Sequence, residues 1–535
     1  MIELREYQEA SVAAVFDYFA TRPGNCILSL PTGSGKSIVQ AELLRRSLAS
    51  YPQERFLLVT HVRELLQQNY DRLLDVWPEA PVGLYSAGLK KREIRPITIA
   101  GIQSIYRRPA ALGDVGLVVV DECHLVPRSG TGMYLSLLEG LRRANPHLRV
   151  LGLTATPYRL DSGPLVEGED SIFNGVAYEA DILELVHDGY LSRLRNRVGS
   201  ARADLHKVHV RGGDFVESEL ESVMDAEALV EAVADEAIPL LADRHKWLVF
   251  CCGVTHAQHV AGVLNERGVP TGCVTGETPS DERAATLARF SAGQLRALTN
   301  VMVLTHGFDQ PDIDAIVMLR PTLSTGLYVQ QCGRGLRIAP GKTDCLVLDY
   351  AGNVMRHGPI TRPIVNQKGG NGEAVLRECP ECHDVIPGGC TVCPCCGYQF
   401  PTREVVHQHR VTHDVEHDIM GADNLVTATV EFVEYERHEK FGRPDSMCVT
   451  YHCRTTEGRH RSYNEYVCPE HPGYAGEKGR RWLATRGARG AITVAAGLAA
   501  SESLRTPTEI IVDTSERWPR IVTCRGLVGV PLSDR

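Results

Sequence analysis

Two short stretches carry residues that could handle phosphate. The first, "LPTGSGKS" (30–37), lies between the apolar run "CILSL" and the helical pattern "SIVQAELLRRSLASY". Gly33 and Gly35 would let backbone N–H groups wrap phosphate oxygens, Lys36 would reach the outer phosphates, and the Ser37 hydroxyl would ligate Mg²⁺; Pro31, Thr32 and Ser34 complete the loop. The usual pattern opens on a glycine, and Leu30 stands at that position here. The second stretch, "GLVVVDECH" (116–124), ends a hydrophobic run in two carboxylates. Asp121 can hold Mg²⁺ through water, and Glu122 can orient and deprotonate an attacking water, because phosphoryl transfer rests mainly on positioning and charge neutralisation. Alone, such an acidic pair marks a solvated loop start. Paired with the preceding loop, it reads as a nucleotide-hydrolysing site.

A third stretch, "CPECHDVIPGGCTVCPCCGYQF" (379–400), has metal-ligand spacing. Cys379-x2-Cys382 and Cys393-x2-Cys396 form two Cys-Pro knuckles that can aim four thiolates at one tetrahedral Zn²⁺. Cys390 and Cys395 are left over, and Cys390-x2-Cys393 is a competing register. Two weaker sets are His407, His409, His413 and His417, and Cys448, Cys453, Cys468 and His471. In the second, Cys448 and Cys453 are an odd number apart along one strand and should point to opposite faces.

The elements that must position these groups alternate. "CILSL", "RFLLVT", "PITIAG", "VGLVVVDE" and "LRVLGLTA" are separated by longer helical patterns, which predicts a parallel sheet covered by helices. The alternation resumes with "KWLVFCCG", "TGCVTG", "RALTNVMVLT", "AIVMLR" and "DCLVLDYAG", so two similar α/β units in tandem are expected. Beyond the Gly-rich "NQKGGNG", the runs "VTATVEF" and "MCVTYHC" alternate with period two around "FGRPDS" and predict a hairpin. A basic helix, "GEKGRRWLATRGA", and the strands "EIIVD" and "RIVTC" complete a small α+β unit. The expected layout is 1–190, a first nucleotide-binding domain; 191–236, a connecting insert; 237–365, a second domain; 366–377, a linker; 378–402, a zinc ribbon; 403–424, a polar linker; and 425–535, a C-terminal accessory domain.

At roughly 100 to 200 residues per domain, 535 residues with 43% hydrophobic composition fit three or four domains. A net charge of −9 provides no global field for nucleic acid, so any such binding must use local basic grooves. "MIELREYQEA" has neither a basic nor an apolar leader region, and no apolar run is long enough to span a bilayer, so a cytoplasmic protein is expected. Its 17 cysteines should then be thiols or metal ligands and not disulfides.

With "TAT" (154–156), "DECH" resembles motifs II and III of superfamily 2 helicases in the DEAH-like branch. "LREYQ" resembles the adenine-reading Q motif, which implies Arg5 and Gln8 at the base; "VTHVRELLQQ" and "GIQSI" resemble strand-contacting motifs. "LTHGFDQP" (304–311) resembles motif V, implying Gly307 and Asp309 near the nucleotide, and "QQCGRGLR" (330–337) fits motif VI with Gln330, Arg334 and Arg337. The resemblance assigns Arg334 and Arg337 as arginine fingers across a cleft between two RecA-like P-loop NTPase domains with parallel sheets. A guanidinium supplied by the second domain completes the site only on closure, which converts nucleotide state into domain position. "SAGLKKRE", "LGLTATPYRLDSG", "LRPTLSTGLYVQQCGRGLRIAPGKTDCLVLDYAGN" and the cysteines are similar to the RadD-type group of bacterial helicase-like repair ATPases. The tail "YNEYVCPEHPGYAGEKGRRWL" is similar to that of prophage helicases of the same build.

The family implies ATP, Mg²⁺ and Zn²⁺ as cofactors and DNA, single-stranded or branched, as partner, with a single-strand-binding or recombination protein as a second partner class. A translocating ATPase grips the sugar-phosphate backbone and not base edges. The motif positions then offer Thr60, Arg63, Gln103, Ser104, Thr275, Gly276 and Thr305 as strand contacts, with Lys90, Lys91, Arg92 and the set Lys478, Arg480, Arg481, Arg486 as basic patches. The expected activity is ATP hydrolysis by a DNA-stimulated helicase or translocase in repair, recombination or phage replication. Two rivals stay open. One is the motor subunit of a restriction system, although no [DE]xK follows Pro444-Asp445 to complete a common nuclease signature. The other is an ATP-gated DNA-binding or annealing scaffold.

Overall fold

The computed structural model describes residues 3–61, 63–126, 132–156, 158–159, 163–166, 171–201, 203–205, 208–211, 214–304, 308–361, 363, 376–378, 385–387, 417–418, 425–439, 444–455, 460–514 and 519–527. The chain divides into two compact units, one of residues 1–180 with 189–371, the other of 181–188 with 372–535.

The first unit holds two parallel sheets. In the N-terminal lobe the strand order is Gly175–Glu179, Cys26–Ser29, Arg149–Thr154, Val115–Asp121, Arg55–Thr60, Ile97–Gly101, Val82–Ser86, with the short Lys91–Arg92 antiparallel at the edge. Strands buried on both faces read as continuous apolar runs, and Cys26–Ser29 and Val115–Asp121 are buried at every position. Each fully buried valine of "VVV" contributes about 1.5–3 kcal/mol relative to an exposed one. The carboxyl ends of Cys26–Ser29 and Val115–Asp121 lie on one edge, separated only by Arg149–Thr154, so the Gly-rich loop and the two carboxylates face each other.

The second lobe orders Thr271–Val274, Ala297–Asn300, Trp247–Phe250, Ala315–Met318, Asp344–Asp349 and Arg193–Val198, all parallel. The sequence-based boundary at 191–236 is corrected here, since this segment is part of the lobe and not an insert. Arg193–Val198 is a strand of its sheet, and helices Glu217–Met224 and Glu227–Leu240 place Leu220, Met224, Val230 and Val233 in its core with Trp247. Glu217, Glu227, Glu231 and Asp235 on these helices are exposed.

The second unit is a five-stranded antiparallel sheet ordered His460–Val467, Ser446–Thr455, Leu425–His438, Glu509–Asp513, Arg520–Arg525. Its core holds Met447, Val449, Tyr451, Cys453, Trp482 and Ile510. Helix Gly473–Thr485 is the expected basic helix. Helix Ile182–His187 belongs to this unit, where Thr523 Oγ1 donates to Glu184 Oε1 at 3.0 Å. The four proposed zinc cysteines and the histidine-rich connector's His407, His409 and His413 lie outside the described residues. Among the described residues no group of three or more His, Cys, Asp or Glu could hold a metal ion. Cys453 is in the core, whereas Cys448 on the same strand is half-buried. No described helix is long and apolar enough to cross a membrane.

Candidate active site

A cleft of about 410 Å³ opens between the two lobes of the first unit. Pro31, Thr32, Gly33, Gly35, Lys36 and Ser37 line one side, and Asp309, Arg334 and Arg337 line the other. Gly35 adopts φ +81 and stands before helix Lys36–Ser50, whose N-terminus no side chain caps. Its first N–H groups are therefore available to an anion. Gly333 is needed for closeness, because a Cβ there would lie 2.8 Å from the Thr32 side chain.

Lys36 Nζ meets Glu122 Oε1 at 2.7 Å and Asp121 Oδ1 at 3.6 Å. Burial alone would depress the Lys36 amine, but the two carboxylates outweigh it and hold its pKa above the usual lysine value. Glu122 sits at φ +50, a left-handed conformation uncommon outside glycine, which turns its carboxylate into the cleft directly after the strand. His124 Nδ1 lies 2.8 Å from Thr154 Oγ1 and 3.4 Å from Glu122 Oε2, and its Nε2 lies 3.2 Å from Gln330 Nε2 of the second lobe. "DECH", "TAT" and motif VI thus form one contact chain.

Across the cleft, Arg337 Nε pairs with Asp309 Oδ1 at 2.8 Å and Arg334 Nη1 donates to the Phe308 carbonyl at 2.7 Å. Burial presses both guanidinium pKa values down; Arg337 adds to this at Arg334, and Asp309 does not restore either. Among the described residues no acceptor meets the buried Arg337 Nη1. A polyphosphate fits such a site, and Ser37 with Asp121 offers the hard oxygen donors that Mg²⁺ prefers.

Other expected residues are placed differently. Gln8 is 2% exposed; its Oε1 accepts from the Arg5 N–H at 3.0 Å and its Nε2 donates to the Ser34 carbonyl at 3.1 Å. Tyr7 donates to the same carbonyl. Both ends of the Gln8 amide are engaged by backbone, so in this structure it braces the loop and does not line the cleft. Arg5 stacks over Tyr190 at 4.8 Å. Ser34 is buried, its hydroxyl donating to the Pro31 carbonyl at 2.7 Å. Thr60 and Thr275 are buried, at 0% and 2% exposure, and Thr275 Oγ1 accepts from the Glu277 N–H, so the Thr275 hydroxyl serves its own loop. Gln103 and Gly276 are exposed and Ser104 is half-buried. Thr305, Gly307 and the Arg63 side chain lie outside the described residues. Of the C-terminal basic set, Arg486 is buried and Arg480 donates to the Pro469 carbonyl at 2.6 Å.

Sequence reasoning missed Asn69 and Arg72. Both line the cleft from helix Arg63–Val76. Asn69 Nδ2 donates to Asp121 Oδ2 at 3.1 Å; Arg72 Nη1 donates to Ser37 Oγ at 3.2 Å and its Nη2 pairs with Asp309. Polar residues three apart on an otherwise amphipathic helix were the available signal.

Residues 1–159 match the family described as the res subunit of type III restriction enzymes, and residues 227–339 match the helicase conserved C-terminal domain. With both lobes and the cleft in place, the chain belongs to superfamily 2 of the helicases. A protein of Saccharomyces cerevisiae named as an ATP-dependent helicase, IRC3, is 28% identical over 65% of this chain and 51% of its own length. The ATP-dependent DNA helicase uvsW of Enterobacteria phage T4 is 25% identical over 63% of this chain and 66% of its own. The chain therefore spans about half of the first of these relatives. Among solved structures, a fragment of an HsdR subunit of a type I restriction enzyme from Vibrio vulnificus overlaps with TM-score 0.49 at 21% identity, covering 66% of this chain and 65% of that one.

Proposed function

We propose that the protein is an ATP- and Mg²⁺-dependent motor stimulated by DNA, acting in repair, recombination or phage replication in the manner of the RadD-type ATPases. The observation that supports it most is the cleft itself, where Lys36, Asp121 and Glu122 of one lobe face Asp309, Arg334 and Arg337 of the other. Lys36 leaves Glu122 for the phosphates, and Glu122, released from its 2.7 Å ion pair, accepts the proton of the attacking water. Mg²⁺ held by Ser37 and Asp121 supplies charge neutralisation when bound. Arg334 and Arg337 stabilise the charge that develops on the transferred phosphoryl group, and lobe closure brings them to it. DNA follows from the name of the phage relative, with exposed Gln103 and Gly276 as the strand contacts best placed to reach it. The four cysteines Cys379, Cys382, Cys393 and Cys396 are proposed to hold one Zn²⁺ that stiffens an attachment for DNA or a partner protein; metal analysis should give about one zinc per chain.

The test is ATPase and strand displacement by one preparation on single-stranded, duplex and forked DNA and on RNA. Lys36→Ala and Glu122→Gln should each lower stimulated turnover by a factor of at least ~100 without unfolding the protein. Undiminished turnover in either variant sinks the assignment, and stimulation by RNA alone overturns the choice of DNA. A second reading, the motor of a restriction system, is favoured by the match of residues 1–159. Co-purification of DNA cleavage with the native protein would select it.

A further inference from the structure

We infer that Asn69 and Arg72 are positioning residues that tie the loop at the start of helix Arg63–Val76 to both oxygen groups expected to hold Mg²⁺. The inference rests on the ATPase reading above. Asn69 and Arg72 are three residues apart and so lie on one face of the helix. Asp121 is 5% exposed, and its two oxygens are fixed separately. Oδ2 accepts from Asn69 Nδ2 at 3.1 Å, and Oδ1 accepts from the Glu122 N–H at 3.0 Å. Asn69 is itself 8% exposed, so its amide has little water to turn to and holds the carboxylate in one orientation.

Arg72 carries the same helix to the other oxygen group. One arm of its guanidinium donates to Ser37 Oγ at 3.2 Å, and the other pairs with Asp309, the carboxylate that also holds Arg337 at 2.8 Å. A single fork thus touches the phosphate loop, and through Asp309 it bears on the arginine of the opposite lobe. The start of the helix is tied to the candidate strand contacts, because Gln103 Nε2 donates to the His61 carbonyl at 3.1 Å just before it. A nucleic-acid strand seated at Gln103 would pull on this start, and the helix is a rigid element that carries the displacement to Asp121, Ser37 and Asp309 together. DNA stimulation of hydrolysis would act through these two side chains.

The experiment uses the full-length protein with Asn69→Ala, Arg72→Gln and Arg72→Lys. One readout is independent of turnover, namely the Mg²⁺ concentration at which ADP reaches half of its thermal stabilisation. Loss of an outer-shell partner of a metal ligand costs roughly 10–100-fold, so Asn69→Ala should raise that concentration about tenfold. Arg72→Gln should lower the ratio of DNA-stimulated to unstimulated turnover about tenfold, and Arg72→Lys, which keeps the charge for Asp309 but not the fork, should recover part of it. Arg72 is 30% exposed, so its substitution is tolerated by the fold should Asn69→Ala not be. An unchanged Mg²⁺ midpoint in Asn69→Ala, or equal loss of stimulated and unstimulated turnover in Arg72→Gln, overturns the inference. Absence of Mg²⁺-dependent ADP stabilisation in the unsubstituted protein overturns the ATPase reading and takes the inference with it.

Discussion

Arg334 in the cleft and Arg486 in the C-terminal sheet unit are both 6% exposed, yet their surroundings shift them in opposite directions. Arg486 lies 3.8 Å from the Trp482 ring, and its Nη2 donates to the Tyr451 hydroxyl at 3.4 Å. Glu465 Oε2 accepts from Tyr451 at 3.0 Å and from the Trp482 indole at 2.9 Å. Burial presses Arg486 down, but Tyr451, Cys524 and Glu465 turn the net shift upward. At Arg334 burial presses down and Arg337 presses further, and the opposite pull of Glu122 and Asp309 does not reverse the shift. A buried charge inside a closed hydrogen-bonded network is structural, whereas two guanidinium groups buried side by side in a cleft have capacity left for an anion. The first cluster is a brace, and the second is the one proposed to receive phosphate.

The largest effect that tests this contrast is on turnover. Arg337→Ala should lower ATP hydrolysis about 10³-fold or more, as loss of an arginine finger does, while the melting temperature holds or rises because a like charge has left the cleft. Intact turnover with a falling melting temperature would break the contrast at once. Next in size, Arg486→Met should cost about 3 kcal/mol of stability, since it removes one partner of a buried charged network; urea unfolding followed by tryptophan fluorescence measures it. A smaller loss, about 1 kcal/mol, is expected for Glu465→Gln, which keeps one acceptor for the two hydrogen bonds but removes the charge facing Arg486. Equal effects from Glu465→Gln and Arg337→Ala on urea stability would mean that the two clusters are not different in kind.

The same contrast explains what is legible in the sequence. Lys36 and Glu122 can be read because their chemistry dictates both residue type and place, at the end of a buried strand, although 86 positions separate them. Asn69 and Arg72 cannot, because a single sequence does not say which face of a helix meets a cleft. Five strands of the first sheet are announced by apolar runs, but Val82–Ser86 carries a glycine and Gly175–Glu179 lies at an edge. Arg193–Val198 ("RLRNRV") is half charged because only alternate residues turn inward, so it reads as a linker and is in fact a strand of the second lobe. Arg486 reads as part of a basic surface patch and is in fact part of a brace, since composition cannot tell a guanidinium stacked on Trp482 from one in water.

The smallest prediction concerns a buried group that must stay neutral, in contrast to the two arginines. His357 is 3% exposed and stacks on Tyr328 at 5.2 Å; its Nε2 lies 2.9 Å from the Thr322 carbonyl and its Nδ1 lies 3.1 Å from Thr325 Oγ1. Burial pushes its pKa down to about 4, and the hydrogen bond to Thr322 only partly opposes this. Above the unfolded value of about 6.5 both folded and unfolded states are neutral there, and the histidine adds no pH dependence. As pH falls through that value the unfolded chain takes up a proton that the folded one refuses, so stability drops until the folded pKa is reached. Between about pH 7.5 and about pH 5.5 the second lobe should lose roughly 1 kcal/mol from this group. His357→Gln should flatten that part of the curve while being less stable at neutral pH, and an unchanged slope in urea unfolding of the variant would show that His357 does not carry it.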